Sequence, residues 1–215
     1  MILYTYFRSS AAYRARLALH LKAIPYEPRY LHLLRGGGEQ LGADYRRLNP
    51  LGRVPTLIDG ELVLTQSGAI MEYLEERYPD EPIMPRAIVE RAFVRAVAQT
   101  FVADTQPLQN LSVARYLSRQ FQQSQDAINA WTQHWMLNGF QAVETLLEAP
   151  PAAGDYCCGD RPTVADICLV AQCFASRRFN VTLEKFPNIA RIDARCRELP
   201  AFRAAAPDKQ ADFEA

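Results

Sequence analysis

Pro79, Pro82 and Pro85 fall within one short stretch of this 215-residue chain, and the patterning on its two sides differs. Proline fixes its own φ and lacks an N–H, so three this close together end any preceding helix and cannot sit inside a following sheet. Upstream, strand-like and helix-like segments alternate. Downstream, every patterned segment is helical. Two domains are expected, over residues 1–80 and 87–215, and the chain is long enough to give each a core.

In the first half, Ile2-Leu3-Tyr4-Thr5-Tyr6 reads as a short strand and residues 11–22 as a helix. Residues 26–31 read as a second strand after Pro25, Gly36-Gly37-Gly38 as a break, and residues 43–48 as a short polar helix. Residues 56–59 and 61–65 are expected to pair as a hairpin, because Asp59-Gly60 is a strong turn signal. Ser67 is placed to cap a helix reaching Tyr78, with Ala69, Ile70, Tyr73 and Leu74 on its apolar face. The order βαβ then ββα predicts a small mixed sheet with helices on its faces.

In the second half, residues 88–117 form one helical pattern that Pro107 kinks or splits. Residues 126–147 make an aromatic-rich helix, residues 149–154 a loop, and Thr163-Val164-Ala165-Asp166 a capping box that opens an apolar helix over 167–179. A last helix over 189–199 stops before Pro200, and the tail from Pro207 is expected to fray.

Composition removes several function classes. Lys plus Arg and Asp plus Glu number 24 each, so no net field recruits nucleic acid or an anionic membrane surface. No apolar run approaches the roughly 20 residues that a membrane-spanning helix needs. The N-terminus opens directly as a strand, without the basic segment and small-residue cleavage site of a leader. Of the five cysteines, Cys157 and Cys158 are adjacent, and Cys168 and Cys173 share one apolar segment. That spacing fits neither a disulfide framework nor a metal site, and buried reduced thiols in the cytoplasm are expected.

Chemistry gathers at three places. Arg8-Ser9-Ser10 lies where the first strand hands over to the first helix, so two hydroxyls meet unpaired helical N–H groups and the positive end of the helix dipole, a setting that favours an anion. Pro55 follows Val54 at a strand start, where a proline needs explaining. Gln66-Ser67 precedes a helix whose first N–H groups suit a carboxylate. His20, His32 and His134 match no catalytic spacing, and Arg14 and Arg16 are expected to form structural ion pairs on their helix.

The segment from Ser9 to Leu19 resembles the signature of zeta-class glutathione transferases, Ser-Ser-Cys-Ser-aromatic-Arg-x-Arg-x-Ala-Leu, with Ala11 and Ala12 standing at the cysteine and second serine. The likeness continues through Leu48-Asn49-Pro50, the Gln106-Pro107-Leu108-Gln109-Asn110-Leu111-Ser112-Val113 block, Tyr156-Cys157-Cys158-Gly159-Asp160 and Arg178-Phe179-Asn180-Val181. It covers nearly the whole chain and implies an α/β thioredoxin-like N-terminal domain plus an all-α C-terminal domain, the glutathione transferase fold. It also implies a cis Val54–Pro55 peptide whose Val54 backbone pairs with bound glutathione. Ser9 and Ser10 are implied as catalytic thiol partners, and Gln40, Val54, Pro55, Gln66, Ser67 and Gln106 as glutathione-binding residues. Arg8 and Arg178 are implied to bind the carboxylates of a small dicarboxylate substrate.

The activity this implies is glutathione-dependent cis–trans isomerisation of maleylacetoacetate or maleylpyruvate in aromatic-compound catabolism. Two readings compete with it. One is a transferase that conjugates glutathione to small electrophiles or α-halo acids; the other is a non-catalytic binding module of the same fold. A pocket with two arginines favours isomerisation, an apolar pocket favours conjugation, and the retained Ser9, Ser10, Gln66 and Ser67 speak against the module. A homodimer is expected, from apolar Ile70, Tyr73, Leu74, Val89, Phe93 and Val97 on two helices and from the family's own arrangement.

Overall fold

The computed structural model describes residues 1–151 and 154–214; Ala152 and Ala153 of the expected 149–154 loop lie outside the described residues, as does Ala215. The chain divides into two compact units, Met1–Ile83 with Glu198–Ala215, and Met84–Arg197. The break falls inside the three-proline stretch. The C-terminal segment, which sequence order grouped with the helical domain, belongs to the first unit.

The first unit is built on a four-stranded sheet of order β2-β1-β3-β4, with β1 at Ile2–Thr5, β2 at Glu27–Tyr30, β3 at Thr56–Asp59 and β4 at Leu62–Thr65. β1 and β2 run parallel, which requires a crossover, and helix α1 (Ser10–Leu21) supplies it. β3 runs antiparallel to both β1 and β4, and Gly60 at φ 60° closes the β3–β4 hairpin as the Asp59-Gly60 pair implied. Tyr4 lies opposite Thr56, Thr56 opposite Thr65, and Thr5 opposite Tyr30. Those registers bring the exits of β1, β2 and β4 and the entry of β3 to one end of the sheet. Four loops therefore meet there.

Helix α1 packs against α3 (Ser67–Arg77) and α9 (Pro200–Ala205), so it is buried on nearly every side. Arg14 and Arg16 are buried with it. Arg16, expected in an ion pair, instead donates to Ala205 O (3.1 Å), Thr5 Oγ1 (2.9 Å), Tyr6 O (3.3 Å) and Phe7 O (3.3 Å), because the atoms facing a helix enclosed this way are loop carbonyls and a hydroxyl. Burial lowers its pKa to about 10, which leaves it a cation at neutral pH. At the other end of α1, Lys22 bonds Glu75 (3.0 Å) and Glu81 O (2.6 Å) and so ties the proline stretch to α3.

The second unit holds α4 (Ile88–Gln99), a π-helical turn at Thr100–Thr105, α5 (Leu111–Gln120), α6 (Gln125–Leu147), α7 (Val164–Arg177) and α8 (Pro187–Arg197). The single pattern expected over 88–117 is thus broken before Pro107, and the π turn absorbs the change. A side chain at Gly139 would collide with Thr105 Oγ1, so glycine lets α6 lie close against that turn. Phe101, Phe140 and Phe186 stack at 5.9 and 5.6 Å between centroids beside α7, which is the most buried helix of the unit. The capping box forms: Asp166 Oδ2 accepts from Thr163 N (2.7 Å) and Oγ1 (2.8 Å), while its Oδ1 accepts from Cys157 N (2.8 Å). Glu144 of α6 caps α8 in the same way, accepting from the N–H groups of Asn188 (2.8 Å) and Ile189 (3.0 Å).

Three further expectations change. Beyond Pro200 the chain forms α9 and a short 3₁₀ turn, and Asp212 accepts from Phe7 N at 2.9 Å, so the tail docks on the first unit rather than fraying. Gln66, not Ser67, occupies the N-cap of α3; Ser67 is the first helical residue. Ile70, Leu74 and Val97 are fully buried within their own units, whereas Val89 and its neighbour Ile88 stay exposed. Among the described residues no helix is long and apolar enough to cross a membrane and no metal-binding cluster exists. All five cysteines are unbridged and buried.

Candidate functional site

The end of the sheet where the four loops meet carries most of the residues singled out from the sequence. After β1, the chain turns through Tyr6 and Phe7, and Ser9 N donates back to Tyr6 O (3.1 Å). Ser9 then caps α1, its Oγ accepting from Ala12 N at 3.2 Å. An oxygen used as an acceptor keeps its own proton to donate, so the Ser9 hydroxyl is polarised and oriented beside the α1 N-terminus. Ser10, the first residue of the helix, is buried, and Arg8 before it is half-buried.

Val54 shares one apolar cluster with Tyr6, Phe7, Ala12 and Tyr45, which sets it next to the Ser9 turn. The Val54–Pro55 peptide is cis. Its flanks are fixed by the preceding helix α2 (Ala43–Leu48) and Asn49. Tyr45 Oη donates to Arg53 O (2.7 Å) and pairs with Thr56 Oγ1 (2.7 Å), and Asn49 Nδ2 donates to the same two atoms at 2.7 and 3.2 Å. Burial raises the Tyr45 pKa to about 12, which keeps it a donor at any physiological pH. This network explains the Leu48-Asn49-Pro50 block: Asn49 is a brace for the loop that follows.

Across the hairpin, Gln66 adopts φ 69° and is exposed. A non-glycine residue in this region is held by its surroundings, and such residues cluster at functional sites. Ser67 behind it is 3% exposed, and its Oγ accepts from Arg14 Nε at 3.0 Å. As at Ser9, an N–H of the fold occupies the oxygen and leaves the proton to donate. A buried guanidinium and the open N-terminus of α3 together favour an anion at this hydroxyl.

Gln40 lies in the short turn Glu39–Leu41 after β2 and is buried; its Oε1 accepts no hydrogen bond among the described residues. A side chain on Gly52 would press on Gln40 O, which sets this turn beside the Val54 loop. Ser9, Ser10, Gln40, Val54, Pro55, Gln66 and Ser67 thus stand on four loops at one end of one sheet. Gln106 and Arg178 belong to the second unit. Gln106 closes the π turn through its N–H to Phe101 O (2.9 Å), and Arg178 ends α7, exposed, with its guanidinium 5.3 Å from the Phe179 ring.

Sequence reasoning did not single out Arg14 as the partner of Ser67, or Tyr45 and Asn49 as braces. A signal for Arg14 was present: it is flanked by Ala12, Tyr13, Ala15, Leu17, Ala18 and Leu19, so its helix is apolar all round and must be buried.

A glutathione S-transferase N-terminal domain model matches residues 1–76, and the corresponding C-terminal domain model matches residues 134–200. A probable maleylacetoacetate isomerase of Vibrio cholerae is 46% identical over 99% of this chain and 98% of its own length. A solved holo structure of a maleylpyruvate isomerase, a bacterial zeta-class glutathione S-transferase, superposes with a TM-score of 0.96 at 44% identity over all of both chains. A maleylacetoacetate isomerase from Methylobacterium extorquens, solved with malonate and glutathione bound, has a TM-score of 0.96 at 33% identity, again over all of both chains. With both domain models matched and relatives well above 30% identity along its full length, the chain belongs to the zeta class of the glutathione transferase family.

Proposed function

We propose that this protein is a glutathione-dependent cis–trans isomerase of a maleylacetoacetate- or maleylpyruvate-type dicarboxylate, acting in the cytoplasm in the breakdown of aromatic compounds. One observation carries the reading: two serine hydroxyls at the same end of the sheet, Ser9 and Ser67, each have their oxygen taken by an N–H of the fold, so each presents a proton beside a helix N-terminus. The similarity to isomerases over the whole chain supports the substrate class, and five unbridged thiols support a reducing compartment.

The residues present fit glutathione. It needs an anion site for its γ-glutamyl end, acceptors for its amides and a donor for its sulfur. Ser67 with the N-terminus of α3, the buried acceptor Gln40 Oε1, and Ser9 with the N-terminus of α1 supply these. When bound, glutathione supplies a thiol whose ionised form is a nucleophile for an alkene conjugated to carbonyls, and hence a route to isomerise that bond. Ser9 donates to the sulfur, a charge-assisted bond worth about 1.5–3 kcal/mol. The α1 dipole adds about 0.3–1 kcal/mol. A free thiol titrates near 8.5, and each 1.36 kcal/mol lowers that by about one unit, so the hydroxyl does more than the dipole to ionise it at neutral pH. Arg8, just before the Ser9 turn, offers a guanidinium whose fork suits a planar substrate carboxylate, and the family resemblance assigns Arg178 the same kind of partner.

Assaying maleylacetoacetate and maleylpyruvate with and without glutathione tests the reading. Glutathione-dependent conversion of either is expected; conversion of neither, together with conjugation of a halo acid, overturns it in favour of a transferase. Arg8→Ala and Arg178→Ala are each expected to lower kcat/KM for the dicarboxylate by about ten- to 100-fold with glutathione affinity unchanged. A matched loss of glutathione affinity would move that arginine into the glutathione site. We also propose a homodimer, supported by the exposed Ile88 (84%) and Val89 (71%) at the start of α4. Light scattering is expected to give about twice the 24.3 kDa chain mass; the single-chain mass refutes it.

A further inference from the structure

The tail beyond α9 carries Asp212-Phe213-Glu214, and these three residues touch two of the four site loops. Phe7 sits just past the end of β1, where no neighbouring strand remains to accept its N–H. It is also buried, so that N–H needs a partner from within the fold. Asp212 Oδ2 is that partner, at 2.9 Å. Arg16 donates to the carbonyls of Tyr6 and Phe7, each at 3.3 Å, and Tyr6 O also takes the N–H of Ser9. The backbone that leads into Ser9 is therefore held by both a carboxylate from the tail and a guanidinium from α1. Phe213 lays its ring edge-on against Phe7 with centroids 5.4 Å apart.

Glu214 reaches the other loop. Its carboxylate accepts from Arg35 Nη2 (2.9 Å) and bonds His32 Nε2 (3.2 Å). The His32 ring is oriented by the N–H groups of Leu34 (3.2 Å) and Arg35 (2.8 Å), which both donate to Nδ1, so Nε2 carries the proton that Glu214 accepts. His32 in turn fixes the Gln40 turn: its N–H donates to Glu39 Oε2 (2.7 Å) and its carbonyl accepts from Glu39 N (3.0 Å). One short peptide thus bridges the loop that carries Ser9 and the loop that carries Gln40.

We propose that Asp212 and Glu214 are positioning residues for the glutathione site: the docked tail sets the Ser9 turn and the Gln40 turn, and through them the ionisation and affinity of bound glutathione. This rests on the reading of Ser9 and Gln40 as glutathione-site residues. Asp212 acts as a hydrogen-bond acceptor for Phe7 N, so the amide of Asp212→Asn, which keeps an oxygen there, preserves the function, whereas Asp212→Ala removes it. An alternative role, as counter-charge to buried Arg16, predicts that Asn fails as Ala does.

The test is a pH titration of the ultraviolet thiolate absorbance of bound glutathione, with KM for glutathione and kcat measured separately, on the full chain. In Asp212→Ala the bound-thiol pKa is expected to rise and KM for glutathione to increase about five- to tenfold, with kcat at saturating glutathione and alkaline pH retained. Asp212→Asn is expected to restore both readings, and Asp208→Ala, which removes an exposed tail carboxylate, to change neither. Glu214→Ala, at an exposed position, is expected to raise KM in the same direction by less, and it decides the matter should Asp212→Ala not fold. Unchanged pKa and KM in the alanine variants, or an Asn variant as impaired as the Ala variant, overturn the proposal. Ser9→Ala measured in parallel separates the two readings: if Ser9→Ala shifts the thiol and Asp212→Ala does not, only the positioning role fails. If neither shifts it, the site reading fails as well.

Discussion

Replacing Ser67 with Ala removes two interactions at once, and they report on different quantities. In the folded protein Ser67 Oγ is the acceptor for Arg14 Nε at 3.0 Å, and both residues are almost fully buried. Without the oxygen, that N–H faces a methyl group, and a buried donor stripped of its partner costs about 1–3 kcal/mol. In the proposed site the hydroxyl proton is also the group offered to the γ-glutamyl carboxylate, and a hydrogen bond to an ionised partner is worth about 1.5–3 kcal/mol. Urea denaturation without ligand reads the first loss. Calorimetric titration with glutathione reads the second, an increase in Kd of about ten- to 150-fold. A stability loss of the expected size with unchanged Kd would refute the assignment, since Ser67 would then be only a seat for Arg14. An unchanged stability would refute the pairing with Arg14 instead.

Two further expectations follow from the same structure. Ser9→Ala should raise the spectroscopic pKa of bound glutathione by about one to two units and lower stability by about 1 kcal/mol through loss of the α1 cap; an unmoved pKa would leave the helix terminus alone as the activator. Burial pushes the thiols of Cys157, Cys173 and Cys196 above the ordinary cysteine range near 9.0, so the folded state keeps three protons that the unfolded chain releases. Their contribution is full below that range and lost as pH rises through it, at up to about 4 kcal/mol per pH unit, and urea unfolding at pH 7, 8.5 and 10 that shows no fall between the last two points contradicts it.

What the sequence revealed and what it hid divide along physical lines. The hairpin was legible because Asp59-Gly60 fixes a turn locally, and the Thr163–Asp166 box because both of its partners lie within four residues. Pro55 was legible because a proline at a strand entry is an anomaly in itself. The docking of residues 198–214 was not, because which unit a segment packs on is decided by long-range contacts that no local pattern records. Asp212 carried no signal for the same reason: its partner, Phe7, is at the far end of the chain. Ser67 was misplaced by a single residue as a cap, since a serine before an apolar helix is the ordinary N-cap, and only the positive φ of Gln66 moves the helix start. Gln40 stood out only through family resemblance; an isolated glutamine in a polar loop has no pattern of its own.

The location of the candidate site follows from one consequence of β-structure. Where strands end, backbone groups lose their ladder partners, and any loop held in place there must have those groups satisfied by side chains from elsewhere. In this protein Arg16 takes the carbonyls after β1 and Asp212 takes the N–H of Phe7, while Tyr45 and Asn49 secure the Arg53 carbonyl before β3. Two of these four partners, Arg16 and Asp212, carry a charge that burial disfavours: it lowers the pKa of Arg16 and raises that of Asp212. That desolvation is tolerated because charge-assisted bonds are about twice as strong as neutral ones: Arg16 makes four of them, and Asp212 has its bond from Phe7 N and the field of the Arg16 cation. With the backbone secured by other residues, the hydroxyl protons of Ser9 and Ser67 are not spent on holding their own loops. Each accepts one N–H and keeps one proton, and that spare donor at a helix N-terminus is what suits this sheet end to the anion and thiol site proposed for it.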